Sequence, residues 1–226
     1  MSYWAQWGFQ DAVSPLIEEF IQFHDFAITI VCFILIMTFY IIIKLVGNKI
    51  RCSTLVEGQL IESLWTAIPA LVLIHLAVPS LILLYILDES LSRRLSVKII
   101  AHQWFWSYEY SDLWRSTPML EFNSYMRKES YIGQIRLLDV DNRLTLPYGY
   151  RVAAIIRSSD VLHAWAVPAL GVKVDAIPGR LNQAIFVRFR PGVFFGQCSE
   201  ICGANHSFIP ISVEFVTDSD FYFWAS

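Results

Sequence analysis

"GQCSEICGANHSFIP", residues 196–210, sets two cysteines four apart and a histidine four further on, within fifteen residues that also hold two glycines and a proline. Glycine costs a helix about 1 kcal/mol and proline about 3, so Gly203 and Pro210 make a continuous helix unfavourable and the segment reads as a loop that presents side chains. Directly after it, Ile211, Val213 and Phe215 alternate with Ser212 and Glu214, the period-two pattern of a strand with one buried face. Working outward, Ile185, Val187 and Phe189 alternate with Arg188 and Arg190, and "RVAAIIR" (151–157) and "IRLL" (135–138) predict further strands. "LPYG", "IPGR" and "RPGV" supply turns between them. Several short strands punctuated in this way favour a β-sandwich or barrel, with the cysteine–histidine stretch joining two of its strands.

The N-terminal part follows another rule. The chain of 226 residues is 55% hydrophobic, above the roughly 45–50% of soluble domains, and the excess is concentrated. Residues 26–43, "FAITIVCFILIMTFYIII", carry no charge, and the apolar run continues past Lys44 through Val46. A second charge-free run covers residues 63–87. Each approaches the about 20 residues needed to cross a bilayer core of roughly 30 Å, so two transmembrane helices are expected over about 26–46 and 63–87. No Lys or Arg precedes Lys44, so the basic region of a secretory signal is missing and the first span is expected to be retained. The connecting loop holds Lys44, Lys49 and Arg51, whereas the N-terminal arm holds Asp11, Glu18, Glu19 and Asp25. The excess of basic residues places that loop on the inner side and both termini outside. The expected organisation is an arm and two-helix anchor over 1–88 and an outer domain over 89–226. From Glu89 onward 14 basic residues face 13 acidic ones, a balance that points to no nucleic-acid partner.

Of the four cysteines, Cys32 falls in the first span and Cys52 in the inner loop, leaving Cys198 and Cys202 together on the outer side. Three chemistries compete for them. A disulfide suits an oxidising compartment, but it gives no role to His206 or to His163 in "SSDVLHAWAVP". Two thiolates and two imidazoles also make a closed zinc shell. The same soft ligands suit copper, and spacing alone serves copper and zinc equally.

"GQCSEICGANHSF", with "DVLHAWAVPALG" upstream and "AHQWFWSYEY" after the anchor, resembles subunit II of the haem–copper cytochrome c oxidases. The likeness runs from "GFQDAVSP" to "ISVEF", nearly the whole chain, and is of the mitochondrial type. It implies a two-helix transmembrane hairpin followed by an all-β, cupredoxin-like Greek-key sandwich or barrel. It also implies an electron-transfer subunit of the mitochondrial inner membrane, with both termini and the β domain in the intermembrane space. Electrons would come from cytochrome c to a dinuclear copper A centre and leave for haem in subunit I, where oxygen is reduced to water. Other oxidase subunits and membrane lipid are the remaining implied partners. Carried over residue by residue, Cys198 and Cys202 would bridge the two coppers, His163 and His206 would be terminal ligands, and the Glu200 carbonyl a weak one. The Glu200 carboxylate would help bind magnesium at the contact with subunit I, a hard oxygen donor for a hard cation.

The family normally places a methionine three residues after the second histidine, where this chain has Ile209. Isoleucine has no lone pair. Either the weak axial ligand is lost, or an organelle codon read as Met has been written as Ile. By the same resemblance Trp104, with Trp106 in its cluster, passes the electron inward, and Glu62 marks the entrance of a proton path. Glu109, Asp141 and Asp160 match acidic positions that dock the basic cytochrome c, with Asp112 and Asp139 as weaker candidates. Ser159 stands where many relatives carry another acid. A membrane-anchored metal-delivery or assembly protein with a copper or zinc site is the alternative, and it would need neither the Trp104 cluster nor Glu62.

Overall fold

The computed structural model describes residues 3–50, 52, 54, 56–88, 92–110, 120–128 and 132–226. Two helices open the chain, α1 (Pro15–Gly47) and α2 (Gln59–Asp88). Both are long and apolar enough to cross a membrane. α1 begins eleven residues before the apolar run because Ser14 starts it: the Ser14 hydroxyl accepts from the Ile17 N–H at 3.4 Å, filling one of the donors that a helix start leaves open. Within the helices, the hydroxyls of Thr29, Thr38, Ser63 and Thr66 each donate to the carbonyl four residues back, at 2.8 Å. Polar side chains are thereby satisfied without water, as a hydrocarbon environment requires.

The remaining elements are β1 (Leu95–His102), β2 (Phe105–Tyr110), β3 (Leu120–Ser124), β4 (Leu144–Pro147), β5 (Arg151–Ser158), β6 (His163–Val167), β7 (Val172–Ala176), β8 (Asn182–Val187), β9 (Gly192–Gln197), β10 (Pro210–Val216) and a final helix α3 (Asp218–Ala225). A five-stranded sheet runs β3-β2-β1-β5-β8, a three-stranded one β4-β10-β9, and β6 pairs with β7. β1 with β5 and β4 with β10 are parallel, and the other pairs antiparallel. Alternation decides which side faces in. Val97 and Ile99 of β1, Trp106 and Tyr108 of β2, Val152 and Ile156 of β5, and Ile211, Val213 and Phe215 of β10 join one apolar cluster. Trp106 and Trp165 are both fully buried. Burying 150–250 Å² at 25 cal/mol per Å² makes each worth about 4–6 kcal/mol before ordering costs.

The two compact units are Met1–Glu18 with Ser90–Ser226, and Glu19–Glu89. The N-terminal arm, which composition groups with the anchor, packs with the β unit. The Ser14 hydroxyl donates to the Leu170 carbonyl at 2.7 Å, Arg188 Nη1 donates to the Val13 carbonyl at 2.8 Å, and Val13 N donates to the Ala169 carbonyl at 3.3 Å. Ile17 is buried in the same seam, against the left-handed Gly171 (φ 70°), where an added Cβ would lie 3.1 Å from the Ile17 Cβ.

One expected strand, over residues 135–138, is absent, and another, over 185–190, ends early. Residues 135–138 form a turn in which Leu138 N and Asp139 N both donate to the Ile135 carbonyl, with Leu137 at φ 65°. Their apolar spacing imitates a strand, but the carbonyl that would join a ladder is taken locally. β8 stops at Val187, leaving Phe189 exposed outside it.

Candidate metal centre

β9 and β10 are antiparallel neighbours, with Gln197 opposite Pro210, and residues 198–209 loop between them. Cys198 N donates to the Ile209 carbonyl at 3.0 Å, and Ser199 N to the Ala164 carbonyl of β6 at 3.1 Å. Those bonds fix the loop's base against the strand that begins with His163. Gly196 makes the approach possible: a Cβ there would lie 1.8 Å from the Ala166 carbonyl oxygen.

The structure brings His163, Cys198, Cys202 and His206 together. His163 Nδ1 is 3.7 Å from Cys198 Sγ, Cys198 Sγ is 3.9 Å from Cys202 Sγ, and Cys202 Sγ is 3.4 Å from His206 Nδ1. The Glu200 carbonyl lies 3.4 Å from Cys198 Sγ. The sulfurs are too far apart for a disulfide, whose S–S length is about 2.05 Å, and both thiols are free. Ligand atoms of His163, Cys198 and Cys202 all lie within 4.8 Å of one another, and all three residues are buried. Soft sulfur and imidazole donors converging in an apolar pocket fit copper, and equally zinc by donor type.

Electrostatics separate the two thiols. Burial opposes ionisation of Cys198, but hydrogen bonds from His163 and from the backbone of Glu200 and Ala164 outweigh it and lower its pKa. Burial raises the pKa of Cys202, and the neighbouring Cys198 charge raises it further. The pair therefore loses its first proton more readily than its second, whose loss a bound cation would favour.

Gln103 and Trp104 are the two turn residues of the β1–β2 hairpin, next to the closing pair His102 and Phe105. Gln103 Nε2 donates to the Cys202 carbonyl at 2.8 Å and Trp104 Nε1 to the same oxygen at 3.3 Å. Asp160 accepts from Gln103 N at 2.6 Å through Oδ2, while its Oδ1 meets His163 Nε2 at 2.8 Å. This is the second contact that orients a metal-binding imidazole. The carboxylate read from sequence as a docking acid thus faces the centre. Gln103 carries no signal in the sequence beyond its place beside Trp104 in the aromatic motif.

The other residues divide. Trp104 is half-buried, so it can meet a partner. Trp106 is fully buried and edge-on to His163, with ring centroids 6.1 Å apart, so direct contact with a partner is closed to it. Glu109 is mostly covered and paired to Lys98 at 2.9 Å. Asp139 is buried against Arg143 at 3.2 Å. Asp141 is exposed, and Asp112 lies outside the described residues. Ser159 accepts or donates at His102 Nδ1, 2.7 Å away, closing the end of β1. The Glu200 carboxylate makes no ion pair among the described residues. Glu62 sits in the first turn of α2, and Ile209 is buried among the same apolar residues as the two cysteines.

The family described as "Cytochrome C oxidase subunit II, periplasmic domain" matches residues 95–216, and its "transmembrane domain" counterpart matches residues 2–83. "Cytochrome c oxidase subunit 2" of Drosophila yakuba is 50% identical over 228 residues, covering 100% of this chain and 98% of that protein. The same subunit of Periplaneta americana is 50% identical over 226 residues, covering 99% and 97%. Among solved structures, the periplasmic domain of subunit II of cytochrome oxidase from Bradyrhizobium japonicum shares 42% identity at a TM-score of 0.56, over 60% of this chain and 94% of that one. A β-sandwich with four soft donors at one end, behind two membrane-length helices, and matches to both family regions lead to one conclusion: the chain belongs to the cytochrome c oxidase subunit II family.

Proposed function

We propose that the chain receives electrons singly from cytochrome c at the Trp104 hairpin and delivers them to haem in subunit I of the oxidase. The carrying observation is the unbroken series His163 Nδ1, Cys198 Sγ, Cys202 Sγ and His206 Nδ1, with neighbours 3.4–3.9 Å apart. In this reading Cys198, Cys202, His163 and His206, with the Glu200 carbonyl, would hold the copper pair. When bound there, a copper pair supplies a one-electron store shared between two ions. The chain's own work is to hold the donors still. Asp160 orients His163, the β6 and β10 backbones anchor both loop ends, and the indole N–H of Trp104 links the exposed hairpin tip to the Cys202 carbonyl.

The finer assignments belong to the same proposal. The Glu200 carboxylate, which makes no ion pair among the described residues, would contribute an oxygen ligand to magnesium at the subunit I contact, and Glu62 would receive protons entering that subunit. Ile209 supplies no thioether. The anchor lies in the mitochondrial inner membrane with the β domain in the intermembrane space, as the basic residues of the connecting loop support. The test is to purify the copper-grown oxidase with this subunit and record its absorption and electron paramagnetic resonance. A purple chromophore with multi-line copper coupling is expected, lost in Cys198→Ser. A colourless, zinc-loaded chain would instead favour metal delivery.

A further inference from the structure

We propose that the end of the helical hairpin where α1 begins and α2 ends holds one phospholipid, an acyl chain in the interhelical seam and an ammonium headgroup against Glu19. Glu19, Gln22, Phe23 and Phe26 line one wall of a crevice of about 230 Å³. Pro79, Ile82, Leu83 and Ile86 line the other. Both sets follow the i, i+3, i+4, i+7 spacing of a single helix face, so the crevice lies in the seam itself. Phe26 meets the His75 ring edge-on, with centroids 5.2 Å apart, on the side away from Glu19.

Size selects the occupant. A helix with its side chains is about 10–12 Å across, so a helix of another subunit cannot enter a 230 Å³ crevice between two helices that already touch and could only lay side chains over it. A single hydrocarbon chain can enter it. Depth and charge select its headgroup. Glu19 precedes Phe26, where the charge-free run starts, by seven residues or about 10 Å of helix, which brings its carboxylate to the headgroup layer outside the roughly 30 Å hydrocarbon core. Among the described residues that line the walls, Glu19 is the one ionisable group. The Glu19 carboxylate attracts the ammonium of choline or ethanolamine by charge, and repels a lipid whose headgroup is only anionic. The proposal rests on the membrane-spanning reading of α1 and α2.

The test uses the assembled oxidase, washed in mild detergent, with retained lipids counted by native mass spectrometry and released headgroups identified. The unsubstituted complex should keep one choline or ethanolamine phospholipid that Ile82→Trp, which fills the crevice, loses at least about tenfold. Glu19→Lys should exchange it for an anionic lipid. The same lipid number and headgroups in all three complexes would overturn the proposal. A photo-crosslinker at position 86 in an otherwise unchanged chain gives a second reading that does not depend on the tryptophan variant assembling. Crosslinking to lipid supports the site, and crosslinking only to another subunit defeats it. Resistance of the subunit to alkaline carbonate extraction reports separately on the membrane span.

Discussion

At the scale of single residues, the centre depends on groups that never reach the metal position. Asp160 accepts from Gln103 N and engages His163 Nε2, leaving Nδ1 turned toward Cys198. Removing such a second contact typically costs 10–100-fold in metal affinity. Asp160→Ala is therefore expected to lose copper to a chelator about 10–100-fold more readily, while Asp160→Asn, which keeps an acceptor oxygen, loses less. Equal retention in all three forms would show that the hydrogen bond is idle. Ile209 poses the complementary case. It is 1% exposed in a packed cluster, and Ile to Met is close to volume-conserving, costing under about 1.5 kcal/mol. Ile209→Met should leave the melting temperature nearly unchanged and shift the reduction potential of the centre, provided peptide mass confirms Ile in the native chain. An unshifted potential would mean that residue 209 does not face the metal.

Among the elements, the close contact of β9 with β6 is the least forgiving. A methyl group at Gly196 would sit 1.8 Å from the Ala166 carbonyl oxygen. That is backbone, with no rotamer to yield, so Gly196→Ala should cost at least about 3 kcal/mol, the upper range for overpacking. The expected result is a chain that fails to hold copper, seen as loss of the chromophore together with a lower melting temperature. β2 makes a second prediction. Tyr108 and Tyr110 are buried, and burial raises both phenol pKa values. An acid whose folded pKa is raised stabilises the fold fully below its unfolded pKa, about 10 for tyrosine. That contribution is lost as pH climbs from there toward the higher folded value. Stability should fall above about pH 10, with phenolate absorbance from these two residues appearing only on unfolding. The same elements show what sequence can reveal. β5 and β10 are legible because each alternates or runs apolar between clear turns. Residues 135–138 are not, because two leucines and an isoleucine look alike in a strand and in a turn that closes on the Ile135 carbonyl. The four soft donors are legible because their chemistry is rare. The inward role of Asp160 is hidden because composition does not say which way a carboxylate points.

For the whole molecule, the proposed electron entry raises the question of how a nearly neutral β domain would recruit a basic partner. Its 14 basic and 13 acidic residues give no net attraction, so steering must come from local charge. Of the acids named for docking, Glu109 pairs with Lys98 and Asp139 with Arg143, while Asp160 hydrogen-bonds His163 and keeps its charge. Asp141 is left exposed, accepting from Tyr125 N and Asn142 N at 2.7 Å through Oδ1. Glu121 stands exposed directly across from Glu109 in the β2–β3 register, so two like charges share that edge of the sheet. A patch with few free acids among the described residues is readily screened, because the Debye length falls to about 8 Å at physiological ionic strength. KM for cytochrome c should therefore rise with salt while kcat stays level, since exposed rim charges act on association. Asp141→Asn keeps both backbone acceptances possible and removes only the charge. It should raise KM at low salt by about 2–5-fold, the equivalent of the 0.4–1 kcal/mol assignable to one exposed ion pair, and flatten the salt dependence. The measurement is steady-state oxygen consumption by the intact oxidase across a salt series. A KM indifferent to both salt and Asp141 would mean that docking is carried by the apolar face around Trp104 instead.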